Sequence, residues 1–213
     1  MTAAVRLTPP TIRLAERRLA TACPIMARLI DTHGPCRLKI NPRPDVFRSL
    51  AAAVLAQQIS TAAAETIRRR VARAAGGGRF PNPRRFLNTP PDAISSCGVS
   101  AAKLASLRDL ASRIDRGDIP RASALLARPD AEIVALLTAT RGIGLWTAEM
   151  FLLFGLGRPD VCALGDFGLR KGFMRAFGMK KLPATSTFER GAKRWSPWRS
   201  VASWYLWRAA ESP

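Results

Sequence analysis

A short glycine-containing turn, Arg141-Gly142-Ile143-Gly144, stands between two stretches with helical apolar spacing in the segment LLTATRGIGLWTAEMFLL. Glycine permits a positive φ and lets another molecule approach the backbone closely. The first amides of the second helix lack partners within the helix, and with the helix dipole they suit an anion such as phosphate. Such a hairpin would bind DNA without reading its sequence. An ordinary helix–turn–helix corner also contains glycine, so the turn alone leaves both interpretations open.

An aspartate, Asp166, ends the glycine- and proline-containing loop GLGRPDVCALGD and begins a predicted helix over 166–177. Aspartate is a favoured helix N-cap. A carboxylate at such a place can also stabilise a developing positive charge or orient and deprotonate water. One residue can fill both roles.

Two adjacent glutamines, Gln57 and Gln58, interrupt an apolar pattern that predicts one helix from Phe47 through Val71 to the glycines at 76–78. A buried pair of amides needs several hydrogen-bond partners, which makes the pair unusual for packing alone. The pair indicates either a hydrogen-bonding cluster under a loop or the end of a helix at a binding surface.

The chain has five tryptophans and one tyrosine. Trp195, Trp198, Trp204 and Trp207 lie in one C-terminal segment, and we expect the first three to pack in the core. The fifth, Trp146, lies just after the glycine turn and its leucine.

Charge points to a polyanionic partner. The chain has 34 Lys and Arg against 15 Asp and Glu, a formal net charge of +19. An excess of this size favours phosphate contacts with counterion release. A genome that favours arginine codons would explain much of the arginine excess, but less easily the shortage of acids. Many arginines and lysines remain as candidate phosphate contacts, and the sequence does not rank them.

The chain is 47% hydrophobic, which is enough for a packed core and disfavours disorder. No apolar run approaches the roughly 18 residues of a membrane helix, and no signal-peptide core precedes the domain. We therefore expect a cytoplasmic protein, associated with the nucleoid in a bacterium.

The four cysteines, Cys23, Cys36, Cys97 and Cys162, are scattered, and none lies in a Cys-x-x-Cys pair. This spacing argues against a zinc site or an iron–sulfur cluster and favours free buried thiols. The single histidine, His33, lies in a loop-like HGPC segment, and we expect a structural role for it.

Helical periodicity covers most of the chain without strand alternation, so we predict an all-α protein of about ten helices. Ser100 and Asp130 are expected helix caps, and Ser196-Pro197 is expected to begin the last helix. The segment RFPNPRRF is expected to be a loop.

The hairpin, the helix after it, the glycine/proline loop and Asp166 together resemble the signature of the helix-hairpin-helix DNA glycosylase superfamily. The segments RPDVFRSLAAAVLAQQIS, CGVSAAKLASLRDLA, RGIGLWTAEM, GDFGLRKG and KRWSPWRSVASWYLWR are similar to the 3-methyladenine DNA glycosylase II (AlkA-like) branch. The resemblance covers roughly residues 43–210. We expect a minimal member without the N-terminal β-rich domain that some members have.

The resemblance makes Asp166 the catalytic residue of a glycosylase that removes alkylated purines of the 3-methyladenine and 7-methylguanine type and leaves an abasic site. Breaking an N-glycosidic bond builds positive charge on the sugar, which a carboxylate stabilises. An alkylated purine is already cationic and leaves readily, so one carboxylate suffices. Lyase-capable relatives have a lysine where this chain has Trp146, and Lys171 does not match that position. The resemblance thus implies a monofunctional enzyme.

By the same resemblance, Trp146, Trp207 and Phe167 would line the base pocket, where an indole face attracts a cationic base. Gln58 would be the wedge that fills the gap left by the flipped nucleotide, with Gln57 supporting it. Some relatives have an apolar residue at this place, so the wedge chemistry stays open.

The resemblance also implies how the hairpin would hold DNA. Gly142, Gly144 and Thr147 would bind a DNA phosphate. The main-chain carbonyls of Thr138, Thr140 and Ile143 would hold a sodium or potassium ion that bridges to the phosphate.

These expectations combine into an all-α, two-lobed helix-hairpin-helix glycosylase fold with the active site in the cleft between lobes. One lobe spans 46–164 with the hairpin and the glutamines; the other combines 1–45 with 165–213 and carries the catalytic Asp166. We expect a monomer that acts on double-stranded DNA and requires no cofactor and no iron–sulfur cluster.

Two other functions are compatible with parts of this pattern. A non-enzymatic helix-hairpin-helix DNA-binding protein would have the hairpin but no need for an acid among aromatic side chains. A glycosylase for uracil, hypoxanthine or oxidised purines would share Asp166 but differ in the polarity of its pocket.

Overall fold

The computed structural model describes residues 6–42 and 44–211, and over these residues the chain is helical without a β-strand. In chain order the α-helices are α1 (Pro9–Ala22), α2 (Pro24–His33), α3 (Val46–Ala56), α4 (Thr61–Gly76), α5 (Pro83–Asn88), α6 (Pro91–Ser95), α7 (Ala101–Asp115), α8 (Ala122–Leu126), α9 (Asp130–Thr138), α10 (Leu145–Met150), α11 (Phe167–Ala176), α12 (Thr185–Ala192) and α13 (Arg199–Glu211). A π-helical segment, Phe151–Leu156, continues α10, and a 3-10 turn, Lys193–Trp195, follows α12. The predicted all-α class is confirmed. None of the described helices is long and apolar enough to cross a membrane.

The described residues divide into two compact units. Residues 44–151 form one, here named the hairpin unit, with α3 to α10. Residues 6–42 and 152–211 form the other, here named the aspartate unit, with α1, α2 and α11 to α13. The hairpin unit ends at residue 151, whereas the sequence pattern predicted its end at 164. Residues 158–161 belong with α13, because Ser200 Oγ donates to Arg158 O at 2.6 Å and accepts from Val161 N at 2.9 Å.

The predicted long helix from Phe47 to the glycines at 76–78 is wrong. The structure has two helices, α3 and α4, with a turn at residues 57–60 between them. Gln58 adopts φ +59° in this turn, and the Ser60 side chain accepts a hydrogen bond from Ala63 N to cap α4. The N-cap signal of Ser60 outweighs an apolar periodicity that continues through both helices. The glutamines therefore lie at a turn and do not interrupt a helix.

Three further helix boundaries differ from those expected from the sequence. The segment expected to be a loop contains α5, capped by Asn82. Asp130 is the first residue of α9 and follows the cap position at Pro129. The last helix begins at Arg199, three residues after Ser196. The cap at Ser100 is confirmed, because its hydroxyl accepts from Lys103 N.

Each unit has its own apolar core. In the hairpin unit, Phe47 packs against Phe80 and Phe86, with ring centroids 5.8 and 5.5 Å apart. In the aspartate unit, Phe173 lies 4.1 Å from Phe177 and 6.0 Å from Trp195 between ring centroids. Trp195 is buried as expected, whereas Trp198 and Trp204 are only half-buried.

All four cysteines are free thiols. Cys23 and Cys97 are buried, whereas Cys36 and Cys162 are only half-buried. Burial raises the pKa of Cys36 to about 12, which makes this thiol unreactive at neutral pH. His33, expected in a loop, is the last residue of α2.

Candidate active site

Asp166 caps α11. Its Oδ1 accepts a hydrogen bond of 2.7 Å from the main-chain amide of Leu169. A negative charge is favourable at a helix N-terminus because of the aligned peptide dipoles. The N-cap role predicted for Asp166 is therefore confirmed, and the hydrogen bond fixes the position of Oδ1.

Trp207 provides a second contact to the same carboxylate. Its indole Nε1 donates to Asp166 Oδ1 at 3.1 Å, and its ring stacks on Phe154 with centroids 5.9 Å apart and planes 19° apart. Trp207 was predicted as a wall of the base pocket. The structure adds that its polar edge orients the candidate catalytic group, while Phe154 restrains the ring.

Two glycines of α11 that were not among the predicted site residues make this contact possible. A Cβ at Gly168 would lie 3.1 Å from both Asp166 Oδ1 and Trp207 Cδ1. A Cβ at Gly172 would overlap the main-chain carbonyl of Leu206, so α11 and α13 approach with their backbones nearly in contact. Residues four apart share a helix face. The Gly-x-x-x-Gly spacing of α11 was therefore a readable signal for a close helix contact.

The loop before Asp166 is fastened to the start of α13. Both oxygens of Asp160 accept hydrogen bonds from the Arg199 guanidinium, at 2.7 and 2.8 Å, and Ser196 Oγ donates to Oδ2 at 2.8 Å. Burial opposes ionisation of Asp160, but these hydrogen bonds outweigh it and hold its pKa below the usual range. The loop that ends at Asp166 and the helix that carries Trp207 are thus joined by a charged pair.

Two of the predicted pocket residues present aromatic surface to solvent. Phe167, next to Asp166, is 67% exposed, and Trp146 on α10 of the hairpin unit is 48% exposed. Most aromatic side chains of this size are far more buried in globular proteins. Exposure of this kind is expected of residues that stack on a ligand.

The hairpin is built around two glycines with different surroundings. Gly142 has φ +75°, and a Cβ there would overlap Ser106 Oγ on α7. Gly144 precedes α10, and a Cβ there would meet no atom within 4 Å. Only Gly144 therefore offers open space beside its backbone. Thr147, predicted to bind phosphate, is 4% exposed, so its side chain packs inside the unit and does not face solvent.

The turn that carries the predicted wedge is tied to the hairpin. Gln57 Nε2 donates to the carbonyl oxygen of Gly142 at 3.0 Å, and Gln58 is exposed. Gln57 therefore links this turn to the hairpin, and its role in supporting a wedge stays a prediction. We name residues 57–60 the wedge turn.

The three carbonyls predicted to hold a cation belong to a shallow hollow lined by residues 138–144. Thr140 O accepts from Ile143 N at 3.1 Å, and Thr140 Oγ1 is buried without a hydrogen-bond partner among the described residues. Thr138 is exposed. In the described part of the chain, no group of three or more His, Cys, Asp or Glu side chains could hold a metal ion.

The sequence of this helical framework matches a known family. Residues 51–197 match the HhH-GPD superfamily of base excision DNA repair proteins. The chain belongs to this superfamily. The match includes the wedge turn, the hairpin and Asp166, and it confirms the family and the DNA-repair class predicted from the sequence.

Individual members of the superfamily are similar over nearly the whole chain. DNA-3-methyladenine glycosylase 1 of Schizosaccharomyces pombe is 30% identical over 87% of this chain and 81% of its own length. The structure of the 3-methyladenine DNA glycosylase of that yeast with abasic DNA superposes with a TM-score of 0.82, covering 91% of this chain and 95% of the yeast chain. A DNA-3-methyladenine glycosidase from Bacillus halodurans, 31% identical, superposes with a TM-score of 0.85 over 93% of this chain and 89% of its own.

Proposed function

We propose that the chain is a monofunctional DNA glycosylase that removes alkylated purines, such as 3-methyladenine and 7-methylguanine, from double-stranded DNA and leaves an abasic site. The observation that carries the proposal is the carboxylate of Asp166, held at a helix N-terminus by the Leu169 amide and the Trp207 indole. The chain belongs to a superfamily of base excision DNA repair proteins. In such a protein an oriented carboxylate can stabilise the positive charge that develops during N-glycosidic cleavage.

The chemistry follows from the charges. As the bond between sugar and base stretches, positive charge develops on the sugar, and a fixed carboxylate stabilises it. Because two hydrogen bonds hold Asp166 beforehand, little reorganisation is needed when the charge develops. Asp166 would then orient and deprotonate the water that attacks the sugar carbon, and the alkylated base leaves with the bonding electron pair as a neutral molecule.

The substrate preference follows from the aromatic side chains. The exposed indole of Trp146 and the exposed ring of Phe167 offer electron-rich faces. A cationic, methylated purine gains roughly 0.5–2 kcal/mol from a cation–π contact that a neutral purine does not make. We therefore propose selectivity for charged lesions over uracil, hypoxanthine or oxidised purines.

For DNA binding we propose that the open backbone at Gly144 receives a phosphate. The net charge of +19 supports an electrostatic contribution that does not depend on sequence. The carbonyls of Thr138, Thr140 and Ile143, with the unsatisfied Thr140 hydroxyl, are the donors that would hold a sodium or potassium ion beside that phosphate. Such an ion would supply positive charge next to the DNA backbone.

The test uses duplexes that each carry one defined lesion, with wild type and Asp166→Asn compared in single turnovers. Asparagine is as good an N-cap as aspartate, so the variant keeps α11 and its melting temperature. We expect wild type to release 3-methyladenine and 7-methylguanine, and Asp166→Asn to be at least about a hundredfold slower. Borohydride should trap no covalent complex, since the residue after the hairpin leucine is Trp146. Release of only neutral bases would assign a different substrate class, and DNA binding without release of any base would make the chain a DNA-binding module.

A further inference from the structure

One face of α7 carries three polar side chains, each of which contacts the wedge turn or the hairpin. They are Lys103, Ser106 and Asp109, spaced three residues apart and therefore neighbours along the helix. Ser106 packs against Gly142, and Asp109 Oδ2 accepts from Arg141 N at 2.8 Å. Helix α7 thus holds the hairpin through Ser106 and Asp109.

Lys103 holds the wedge turn. Its ammonium donates to the main-chain carbonyls of Leu55 and Gln57, at 2.8 Å each. These carbonyls lie at the end of α3, where the helix itself provides no donors. Burial lowers the pKa of Lys103, as expected for an ammonium that has exchanged water for two carbonyl partners.

The bond to Gln57 O bears directly on the backbone of Gln58. The carbonyl oxygen of Gln57 and the amide nitrogen of Gln58 belong to the same planar peptide unit. Fixing that plane restricts φ of Gln58, which is +59°. A residue other than glycine in this region costs about 1–3 kcal/mol and persists only where its surroundings determine it.

Gln57 is also held by the hairpin, through its side chain. Gln57 donates its side-chain amide to Gly142 O at 3.0 Å, while its main-chain carbonyl accepts from Lys103. Gln57 is therefore bound at both ends, to the hairpin and to α7. A shift of the hairpin would be passed to Gln58 through this residue.

We propose that Lys103 is a positioning residue for DNA base flipping: by clamping the Gln57 carbonyl it presets the left-handed conformation of Gln58, so that the side chain is aimed before DNA binds. Helix α7 then couples phosphate binding at the hairpin to the insertion of the Gln58 side chain into the DNA. This inference rests on the proposed glycosylase function and on the wedge role of Gln58.

The test compares Lys103→Met, which removes the clamp at nearly constant length, with Lys103→Arg, which keeps charge and donors. Arg121→Met, which removes an exposed cation at the start of α8, controls for the loss of one charge in DNA binding. Two assays are used: single-turnover release of 7-methylguanine from a duplex, and the fluorescence of 2-aminopurine placed beside an abasic site, which reports unstacking without catalysis. Melting temperatures are recorded for every variant.

We expect Lys103→Met to lower the release rate and the fluorescence gain about tenfold, and Lys103→Arg and Arg121→Met to stay near wild type. The decisive variant is Lys103→Met combined with Gln58→Ala. If Lys103 acts through Gln58, the double variant is no slower than Gln58→Ala alone, whereas a general loss of stability would multiply the two effects.

Multiplied effects, or wild-type rates for Lys103→Met, would overturn the proposal. If Lys103→Met folds poorly, Lys103→Gln, which keeps one donor nitrogen without the charge, is measured alone and combined with Gln58→Ala. Should wild type release no base, the proposed function fails, but the fluorescence arm with abasic DNA still decides whether Lys103 positions Gln58.

Discussion

Trp207 and Asp166 are joined by a hydrogen bond of 3.1 Å from the indole Nε1 to Oδ1, the oxygen that also accepts from Leu169 N. The contact links α13 to the residue that caps α11. Trp207, predicted only as a stacking surface, therefore also orients the carboxylate of Asp166. The rate of base release should therefore depend on the N–H group of Trp207 as well as on its ring.

Trp207→Phe removes the N–H donor and keeps an aromatic ring beside Phe154. A hydrogen bond to a charged group contributes about 1.5–3 kcal/mol, so we expect the single-turnover rate to fall at least about tenfold. Binding to abasic DNA should change far less, because the ring surface remains. Trp204→Phe, the same change one helical turn earlier, is the control, and an equal loss of rate in both variants would contradict the role given to the N–H group.

Gly168→Ala places a methyl group 3.1 Å from both Asp166 Oδ1 and Trp207 Cδ1. Alanine is otherwise the better helix residue, by up to about 1 kcal/mol. We therefore expect slower base release without a lower melting temperature, which separates crowding of the site from damage to the fold. Gly165→Ala, where a Cβ would meet no atom within 4 Å, should leave both quantities unchanged.

The residues that could be identified from the sequence are those whose signal is local. Asp166 as a helix cap and the turn at Gly142 and Gly144 follow from short patterns of residue type. The sequence did not predict the break between α3 and α4, because apolar spacing continues across it. Glutamine also has no preference for the positive φ that Gln58 adopts. Two further predictions, that Trp198 and Trp204 pack in the core, were wrong because both side chains are half-buried, and burial depends on the packed fold. The phosphate contact of Thr147 stays a prediction, since a buried side chain leaves the main-chain amide in the first turn of α10 as the possible donor.

The contacts that organise the site join residues far apart in sequence. The Lys103–Gln57 and Gln57–Gly142 hydrogen bonds span 46 and 85 residues, and Trp207–Asp166 spans 41. Periodicity and caps place each helix but do not determine which helix faces which. The Gly168–Gly172 spacing is the exception, since it predicts a close helix neighbour without naming α13.

The two hairpin glycines should respond differently to alanine. Gly142→Ala forces a side chain into φ +75° and into Ser106, so we expect a loss of about 1–3 kcal/mol in the free energy of unfolding. Gly144→Ala meets open space and should cost only about 0.5–1 kcal/mol, because alanine is a poorer N-cap than glycine. Its methyl group would instead stand where a phosphate approaches, and DNA affinity should fall about tenfold, the size of one lost hydrogen bond to a charged group.

Urea unfolding and fluorescence anisotropy with a labelled abasic duplex measure the two effects. A Gly144→Ala protein that binds DNA like wild type would contradict the role of Gly144 in phosphate binding. A Gly142→Ala protein of unchanged stability would equally show that the left-handed turn is not required.

The Asp160–Arg199 pair gives the fold a defined pH dependence. Hydrogen bonds from Arg199 and Ser196 outweigh the effect of burial and hold the pKa of Asp160 below its usual range. An acid whose pKa is lower in the folded state stabilises the fold above its unfolded pKa, about 3.9 for aspartate, and this contribution disappears as pH falls through the folded pKa. At neutral pH the contribution is complete.

Asp160→Asn should therefore lower the free energy of unfolding by about 1–3 kcal/mol at pH 7, since it removes the bidentate charged hydrogen bonds. The difference from wild type should shrink below about pH 4, where wild type itself loses the pair. Urea unfolding of both proteins from pH 7 to pH 2.5 measures the difference. Asp118→Asn, which breaks the exposed pair with Arg116, should cost at most about 1 kcal/mol at any pH. A difference for Asp160→Asn that stayed constant over this range would mean that the asparagine acts through packing and not through the charge of Asp160.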